Sequence, residues 1–126
     1  MEYKATVKGN APSKSNCYFI ITKKGANGKY HGSLAKSSSL TKYEESFIWQ
    51  AGHLRDLMIN EPFDFDIDVY YPSKRSDLDN SLKAVLDSLQ RIKCIKNDNN
   101  CAKIVARKFI DKENPRVEIT IKTIGD

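Results

Sequence analysis

The stretch FDFDIDVYYPSKRSDLDNSLKAVLDSLQRIKCIKNDNN, residues 63–100, decides the fold of this chain. Its first part, residues 63–70, alternates apolar and polar side chains, which predicts a β-strand with one buried face. Pro72 then breaks the strand. From Leu78 onward the apolar side chains recur with the period of a helix, which predicts an amphipathic α-helix. Those side chains are Leu78, Leu82, Val85, Leu86, Leu89 and Ile92.

The segments on either side complete a small mixed fold. Apolar runs and alternation predict further strands at residues 2–8, 17–21, 30–35, 101–110 and 116–122. A first long helix is also predicted, with Ser39 or Thr41 as its N-cap and an apolar stripe from Tyr43 to Met58. We therefore expect an α/β fold of the mixed α+β kind. It has a small mixed β-sheet with two main helices packed on it, in a single domain spanning residues 1–126.

The composition is that of a small globular protein. The chain has 126 residues, with 21 lysines and arginines against 16 acidic residues and a formal net charge of +5. No apolar run reaches the roughly 18 residues of a membrane span, and no signal peptide is expected at the N-terminus. The three cysteines form no C-x-x-C pair, so we expect no disulfide framework or zinc site and a reducing cytosol. Cys94 and Cys101 are interpreted as small buried hydrophobic residues.

Two carboxylates, Asp77 and Asp79, stand where the second helix begins. Ser76 and Asp79 have the spacing of a capping box, and Asp77 is the alternative N-cap. A helix N-terminus favours anions, and carboxylate oxygens on a short D-x-D segment suit Mg²⁺ or Mn²⁺. Lys83 and Asp87 follow at four-residue steps along the same side of the helix, where surface ion pairs are the alternative interpretation.

Asp98 lies in the polar turn 96–100 that follows this helix. The turn is either an ordinary loop or a segment that brings a third metal ligand back to the helix start, and composition does not choose between them. Asp64, Asp66 and Asp68 form a rival metal site on the polar face of the 63–70 strand. Because their side chains are about 6–7 Å apart, the favoured interpretation is a solvated face whose acids pair with lysines of neighbouring strands. Asp68 is the nearest of the three to the D-x-D segment.

The stretch resembles the signature of the RusA-type Holliday junction resolvases. That signature has one or two basic residues, D-L-D-N, a lysine four residues after the second aspartate, a helix ending in a D-x-L-like segment, and an acidic pair in a turn. The matching elements are Lys74-Arg75, Asp77-Leu78-Asp79-Asn80, Lys83, Asp87-Ser88-Leu89 and Asn97-Asp98. The resemblance implies that Asp77, Asp79 and Asp98 are catalytic and hold the metal. It assigns the essential lysine to Lys83. Asn97 departs from the family pattern, which has an acid there.

The resemblance also implies a function. It predicts an endodeoxyribonuclease, dependent on Mg²⁺ with Mn²⁺ as the alternative, that resolves Holliday junctions by paired nicks in DNA recombination and repair. The implied partners are branched DNA, as a four-way junction, and a second copy of the chain in a homodimer. The resemblance also implies that the protein is located in the cytoplasm of a bacterium and is encoded by the bacterium or by its prophage. Two alternatives stay open: a non-catalytic nucleic-acid-binding module, and a metal-dependent phosphohydrolase acting on small substrates.

Six residues outside the acidic cluster are candidate DNA contacts, because such side chains bind phosphate and displace counterions. They are Lys14 and Asn16 in a P-S-x-N-like segment, Lys23 and Lys24 in a predicted flexible basic loop, and Lys74 and Arg75 before D-L-D-N. For the first four, a turn or a solvated hairpin tip is the alternative.

Overall fold

The computed structural model describes residues 1–12, 18–24, 30–36 and 38–124. Within these ranges the strands and helices are β1 (Glu2–Lys8), β2 (Tyr18–Lys24), β3 (Tyr30–Lys36), α1 (Ser38–Gln50), β4 (Phe63–Tyr71), α2 (Leu78–Arg91), β5 (Cys101–Ile110) and β6 (Arg116–Thr123). Short 3₁₀ turns at Gly52–Leu54 and Asp98–Asn100 follow the two helices.

β4 lies inside a four-stranded mixed sheet whose order is β1-β6-β4-β5. It pairs antiparallel with β6 and parallel with β5. A parallel pair needs a crossover connection, and α2 provides it between β4 and β5. β2 and β3 form a separate antiparallel hairpin. The predicted fold class, a small mixed sheet with two helices, is confirmed.

The two faces of β4 have different surroundings. Its buried side chains are Phe63, Phe65, Ile67, Val69 and Tyr71. Both helices pack into the core on this side, α1 through Tyr43 and Phe47 and α2 through Val85 and Leu89. Each fully buried side chain of this size contributes about 1.5–3 kcal/mol to stability. The opposite face of the sheet, called the open face below, carries Asp64, Asp66, Asp68 and Tyr70 of β4.

The first helix is shorter than predicted. α1 ends at Gln50, whereas the apolar stripe in the sequence continues to Met58. Asp56 and Met58 have positive φ angles of 62° and 52°, which no right-handed helix contains. The segment instead runs beside the end of α2. The amide of Asp56 donates to the carbonyl of Ile92 at 3.1 Å, and that of Met58 to the carbonyl of Lys93 at 2.8 Å.

The helix starts also differ in detail from the predictions. The N-cap of α2 is Asp77 rather than Ser76, so the alternative prediction is the correct one. α1 begins at Ser38, slightly ahead of the predicted caps Ser39 and Thr41. Among the described residues, no helix is both long and apolar enough to cross a membrane.

Lys23 and Lys24 belong to β2 rather than to a flexible loop. Their backbones pair with His31 and Tyr30 of β3, and this pairing extends the hairpin beyond the predicted end at residue 21. The prediction of a basic loop beginning at Lys23 is therefore wrong, because the ladder of backbone hydrogen bonds continues to Lys24.

Cys94 and Cys101 are both free thiols. Cys94 is completely buried, and burial raises the pKa of its thiol to about 11. Cys101 is only partly buried against the same core, so the interpretation as a small hydrophobic residue holds fully for Cys94 alone. Cys17 lies outside the described residues.

Candidate metal and catalytic site

The site begins at the N-terminus of α2. Asp77 is the N-cap, with extended φ and ψ of −96° and 125°, yet its side chain makes no capping hydrogen bond. Asp79 lies in the first turn. Both are exposed, and neither carboxylate has a hydrogen bond or ion pair with a described residue. Two carboxylates at a helix N-terminus are thus available for a ligand, where the helix dipole stabilises their charge.

Tyr71, the last residue of β4, ties the sheet to this helix start. Its hydroxyl donates to Ser81 Oγ at 2.6 Å and lies 3.3 Å from the carbonyl oxygen of Asp77. Burial raises the pKa of Tyr71, the hydrogen bond to Ser81 opposes this, and the charges of Asp77 and Asp79 raise it further. Both carboxylates are therefore close enough to act on one hydroxyl. Ser81 Oγ in turn lies 3.5 Å from the carbonyl of Ala11.

Lys108 of β5 holds the loop that precedes Asp77. Its ammonium donates to the backbone carbonyl of Lys74 at 2.9 Å and to that of Ser76. The same ammonium lies 5.6 Å from the centre of the Tyr71 ring. One side chain on the edge strand thus restrains the chain directly before the site.

Lys83 joins the helix to the turn beyond it. Its ammonium is 3.2 Å from Asp98 Oδ2 and 3.6 Å from Asp87 Oδ1. A second contact holds the turn to the helix: the backbone amide of Asp98 donates a hydrogen bond to Gln90 Oε1 at 3.3 Å. Asp98 therefore lies beside the later turns of α2, in contact with Lys83 and Gln90, and Lys83 itself follows Asp79 by one helical turn. The predicted ion-pair role of Asp87 is confirmed.

Asn97 has a local structural role. It is the N-cap of the 98–100 turn, and its Oδ1 accepts a hydrogen bond from the amide of Asn99 at 3.0 Å. An amide side chain serves this purpose as well as an acid, so the departure from the family pattern leaves the turn that presents Asp98 intact.

The three candidate ligands do not form one closed group in this arrangement. Within the described ranges, no three histidine, cysteine, aspartate or glutamate side chains lie close enough together to hold a metal ion. Asp98 is paired with Lys83, while Asp77 and Asp79 lie at the helix start. The donor chemistry fits Mg²⁺, because all three offer hard carboxylate oxygens.

Two members of the rival acidic group on β4 share one arginine. Arg107 Nη1 lies 3.1 Å from Asp66 Oδ1 and 3.1 Å from Asp68 Oδ1. Hydrogen bonds to Asp68 and Asp66 raise the pKa of Arg107, whose guanidinium is charged at any ordinary pH. The favoured interpretation, acids paired with a basic group of a neighbouring strand, is confirmed for these two, with arginine in place of lysine. The pKa of the Cys101 thiol is raised first by burial and to a smaller extent by the charges of Asp64 and Asp98.

The candidate DNA contacts are described only in part. Lys74 and Arg75 are exposed in the loop before Asp77. For Lys23 and Lys24 the structure describes the backbone alone, and residues 13–17, with Lys14 and Asn16, lie outside the described residues.

The sequence pattern did not single out Tyr71, Ser81 or Lys108 for the site. Tyr71 and Ser81 are ten residues apart and meet inside the core, and Lys108 reaches the loop from another strand. The one available signal was that Tyr71 continues the buried face of β4, where a hydroxyl needs a partner.

Comparison of the sequence with known proteins shows the family to which the chain belongs. The family model of the endodeoxyribonuclease RusA matches residues 20–122, so the chain belongs to the RusA endodeoxyribonuclease family. A crossover junction endodeoxyribonuclease RusA from Aquifex aeolicus (strain VF5) is 32% identical over 114 residues. The match covers 86% of this chain and 82% of that protein.

Family membership makes this protein an endodeoxyribonuclease of the Holliday junction resolvase type, which hydrolyses phosphodiester bonds in branched DNA. Nucleases of this family generally depend on a divalent metal. The resemblance read from the sequence and the nuclease function it implied are confirmed. A binding module without catalysis and a phosphohydrolase of small substrates are correspondingly set aside.

Proposed function

We propose that this protein, as a single domain spanning residues 1–126, resolves four-way junctions by paired nicks that depend on Mg²⁺. Asp77, Asp79 and Asp98 are the proposed metal ligands and Lys83 the proposed catalytic cation. The observation that carries this proposal is the contact of 3.2 Å between Lys83 Nζ and Asp98 Oδ2. It joins the turn to the helix whose first residues carry the other two carboxylates.

The proposed roles follow from charge and geometry. When bound, Mg²⁺, or Mn²⁺ as the alternative, supplies Lewis-acid polarisation of the phosphodiester and an attacking water of lowered pKa. The carboxylate oxygens of Asp77 and Asp79 are available for the metal at the helix start, because no described residue forms a hydrogen bond or ion pair with them. Lys83 exchanges Asp98 for the scissile phosphate and stabilises the negative charge that develops on it.

The remaining proposals concern the DNA and the assembly. Lys74 and Arg75 hold the phosphates next to the site, and Lys14, Asn16, Lys23 and Lys24 are further proposed phosphate contacts. A homodimer with two-fold symmetry presents two sites in the symmetry of a four-way junction, which pairs the nicks. We place this activity in the bacterial cytoplasm, on chromosomal or prophage DNA.

A synthetic four-way junction tests the site. Asp79→Asn and Asp98→Asn should each lower Mg²⁺-dependent nicking at least about 100-fold while junction binding in a gel shift is kept. Lys83→Met should lower nicking by a similar factor. Asp87→Asn is the matched control, because Asp87 lies on the same helix and also contacts Lys83. Normal nicking by Asp98→Asn would contradict the role of this residue, and no nicking by wild type with either metal would contradict the function.

A plasmid that extrudes a cruciform tests the pairing of the nicks. Two coupled nicks across the junction linearise the plasmid, whereas independent single nicks leave open circles. We expect linear product from wild type, and open circles when wild type is mixed with excess Asp79→Asn, because mixed dimers cut one strand only. Linear product at an undiminished rate in the mixture would contradict the homodimer.

A further inference from the structure

The backbone around Asp77 is held by side chains of two sheet strands. The ammonium of Lys108 in β5 donates to the carbonyl of Ser76 and, at 2.9 Å, to that of Lys74. The hydroxyl of Tyr71 in β4 lies 3.3 Å from the carbonyl of Asp77 itself. Since β4 and β5 are parallel neighbours, the backbone of Asp77 is attached to the sheet both directly before the residue and at it.

The side chain of Asp77 takes no part in this attachment. An N-cap residue ordinarily accepts a hydrogen bond from a backbone amide of the first helical turn, and that bond orients its side chain. Asp77 is the N-cap of α2 and makes no such hydrogen bond. The position of Asp77 consequently depends on its backbone contacts, which leave the carboxylate available for a ligand.

Lys108 lies on the same side of the sheet as the site. In the parallel ladder it faces Val69, a buried residue of the face that the helices cover. An ammonium has three N–H donors, and Lys108 uses two of them on backbone carbonyls. Its ammonium also lies 5.6 Å from the centre of the Tyr71 ring, so the two side chains that hold Asp77 are neighbours.

The other basic residues of β5 face away from the site. Arg107 pairs with two aspartates of the open face. Lys103 faces Asp64 in the ladder and belongs to the same open face. Of the three cations of β5, Lys108 is therefore the one that reaches the helix start, and Lys103 offers a matched control.

We propose that Lys108 is a positioning residue of the cutting site, which places the Asp77 carboxylate for the divalent metal by holding the peptide group before it. This inference rests on the proposed function, in which Asp77 is a metal ligand. A residue that orients a ligand without touching the metal contributes about 10–100-fold to metal affinity or activity. Lys108 acts through the backbone of Asp77 and contacts neither metal nor DNA.

The charge of Lys108 and its positioning role predict opposite effects on metal binding. A cation near two carboxylates repels a divalent metal, so its loss would strengthen metal binding if charge alone mattered. Loss of its contacts with the carbonyls of residues 74 and 76 should weaken metal binding, because Asp77 is then no longer held in place. The direction of the change in Lys108→Met therefore separates the two effects.

The test titrates full-length protein with Mn²⁺ in the absence of DNA, and electron paramagnetic resonance measures the free metal. Lys108→Met should bind Mn²⁺ at least about tenfold more weakly than wild type. Lys108→Arg, which keeps a cationic donor, should recover part of this loss, and Lys103→Met should match wild type. Tyr71→Phe removes the second attachment and should weaken Mn²⁺ binding in the same direction.

Junction binding and nicking distinguish positioning from other roles of Lys108. In EDTA, Lys108→Met should bind a four-way junction with the affinity and salt dependence of wild type, because it loses no phosphate contact. Its nicking should need about tenfold more Mn²⁺ for half-maximal rate, and saturating Mn²⁺ should restore most of the rate. A variant that has merely lost stability would not be restored in this way.

Three results would overturn the inference. They are Mn²⁺ binding by Lys108→Met as tight as in wild type or tighter, a salt slope reduced by about one phosphate contact, and nicking that saturating Mn²⁺ does not restore. If wild type nicks junctions while Lys108→Met binds Mn²⁺ normally, only the positioning role fails. If wild type neither binds Mn²⁺ nor nicks junctions, the proposed function fails with it.

Discussion

Two buried tyrosines near the site show how a single hydroxyl can stabilise or destabilise the fold. The hydroxyl of Tyr71 is satisfied by Ser81 and lies against the Asp77 carbonyl. The hydroxyl of Tyr43 in α1 is buried and has no hydrogen-bond partner among the described residues. Burial raises the pKa of Tyr43, and the charge of Tyr71 adds to this. A satisfied buried hydroxyl stabilises a protein modestly, whereas an unsatisfied one costs its desolvation.

Replacing each tyrosine by phenylalanine should therefore give opposite changes. Tyr43→Phe should raise the free energy of unfolding by about 1 kcal/mol, and Tyr71→Phe should lower it by about 1 kcal/mol. In Tyr43→Phe, the loss of stability above pH 10 should also be smaller. The raised pKa of folded Tyr43 means that only the unfolded tyrosine ionises from about pH 10. Urea unfolding at pH 7 and pH 10.5 measures the free energy of unfolding and its loss at high pH. Equal changes in the two variants would contradict the view that only the Tyr71 hydroxyl has a hydrogen-bond partner.

At the scale of elements, a strand edge controls the loop that carries the first site residue. The 72–77 loop connects β4 to α2 and holds the exposed residues Lys74 and Arg75. Its carbonyls at residues 74 and 76 are both bound by the ammonium of Lys108. β5 therefore stabilises the β4–α2–β5 unit in two ways. Its backbone pairs with β4 in a parallel ladder, and its Lys108 side chain binds the 72–77 loop.

Removal of the Lys108 ammonium should loosen that loop. In Lys108→Met, trypsin should cut after Lys74 and Arg75 several-fold faster than in wild type, because local opening exposes the backbone. Lys103→Met is the control, since it removes an exposed lysine from the same strand. Mass spectrometry of early fragments gives the rates. Unchanged cleavage at these two positions would show that the loop is held by other contacts.

At the scale of the whole molecule, a basic chain surrounds a local acidic site. The net charge of +5 attracts DNA, while the exposed carboxylates at the start of α2 repel phosphate unless a cation lies between them. Besides Lys108, which binds backbone carbonyls, the cations described near the site are Lys74, Arg75 and Lys83. These opposing charges make junction binding sensitive to salt and to divalent metal.

Junction affinity should consequently fall steeply with salt. Three phosphate contacts predict a loss of about 40-fold between 50 and 200 mM salt, from a log–log slope of roughly −2.7. Lys74→Ala should reduce the slope by about one phosphate contact. Fluorescence anisotropy with a labelled junction gives both values. A flat salt response would contradict phosphate binding by these side chains.

The sequence by itself determined most of the elements and the family of the protein. Alternation in residues 63–70 and the helical period from Leu78 are local properties, and they predicted β4 and α2 closely. The D-L-D-N segment with Lys83 and Asp98 was sufficient for the family. The end of α1 was mispredicted, because positive φ angles at Asp56 and Met58 leave no mark on hydrophobic periodicity.

Only the tertiary structure decided which side chains meet. Lys83 reaches Asp98 across 15 residues, Lys108 reaches the carbonyl of Ser76 across 32, and Arg107 reaches Asp66 across 41. These contacts depend on β5 lying parallel to β4 in one register, with α2 folded over the pair. Local composition does not contain that register. The same composition allowed an acidic metal site on β4 and an ordinary loop at Asp98, and the packing instead paired Asp66 with arginine and drew Asp98 to the helix.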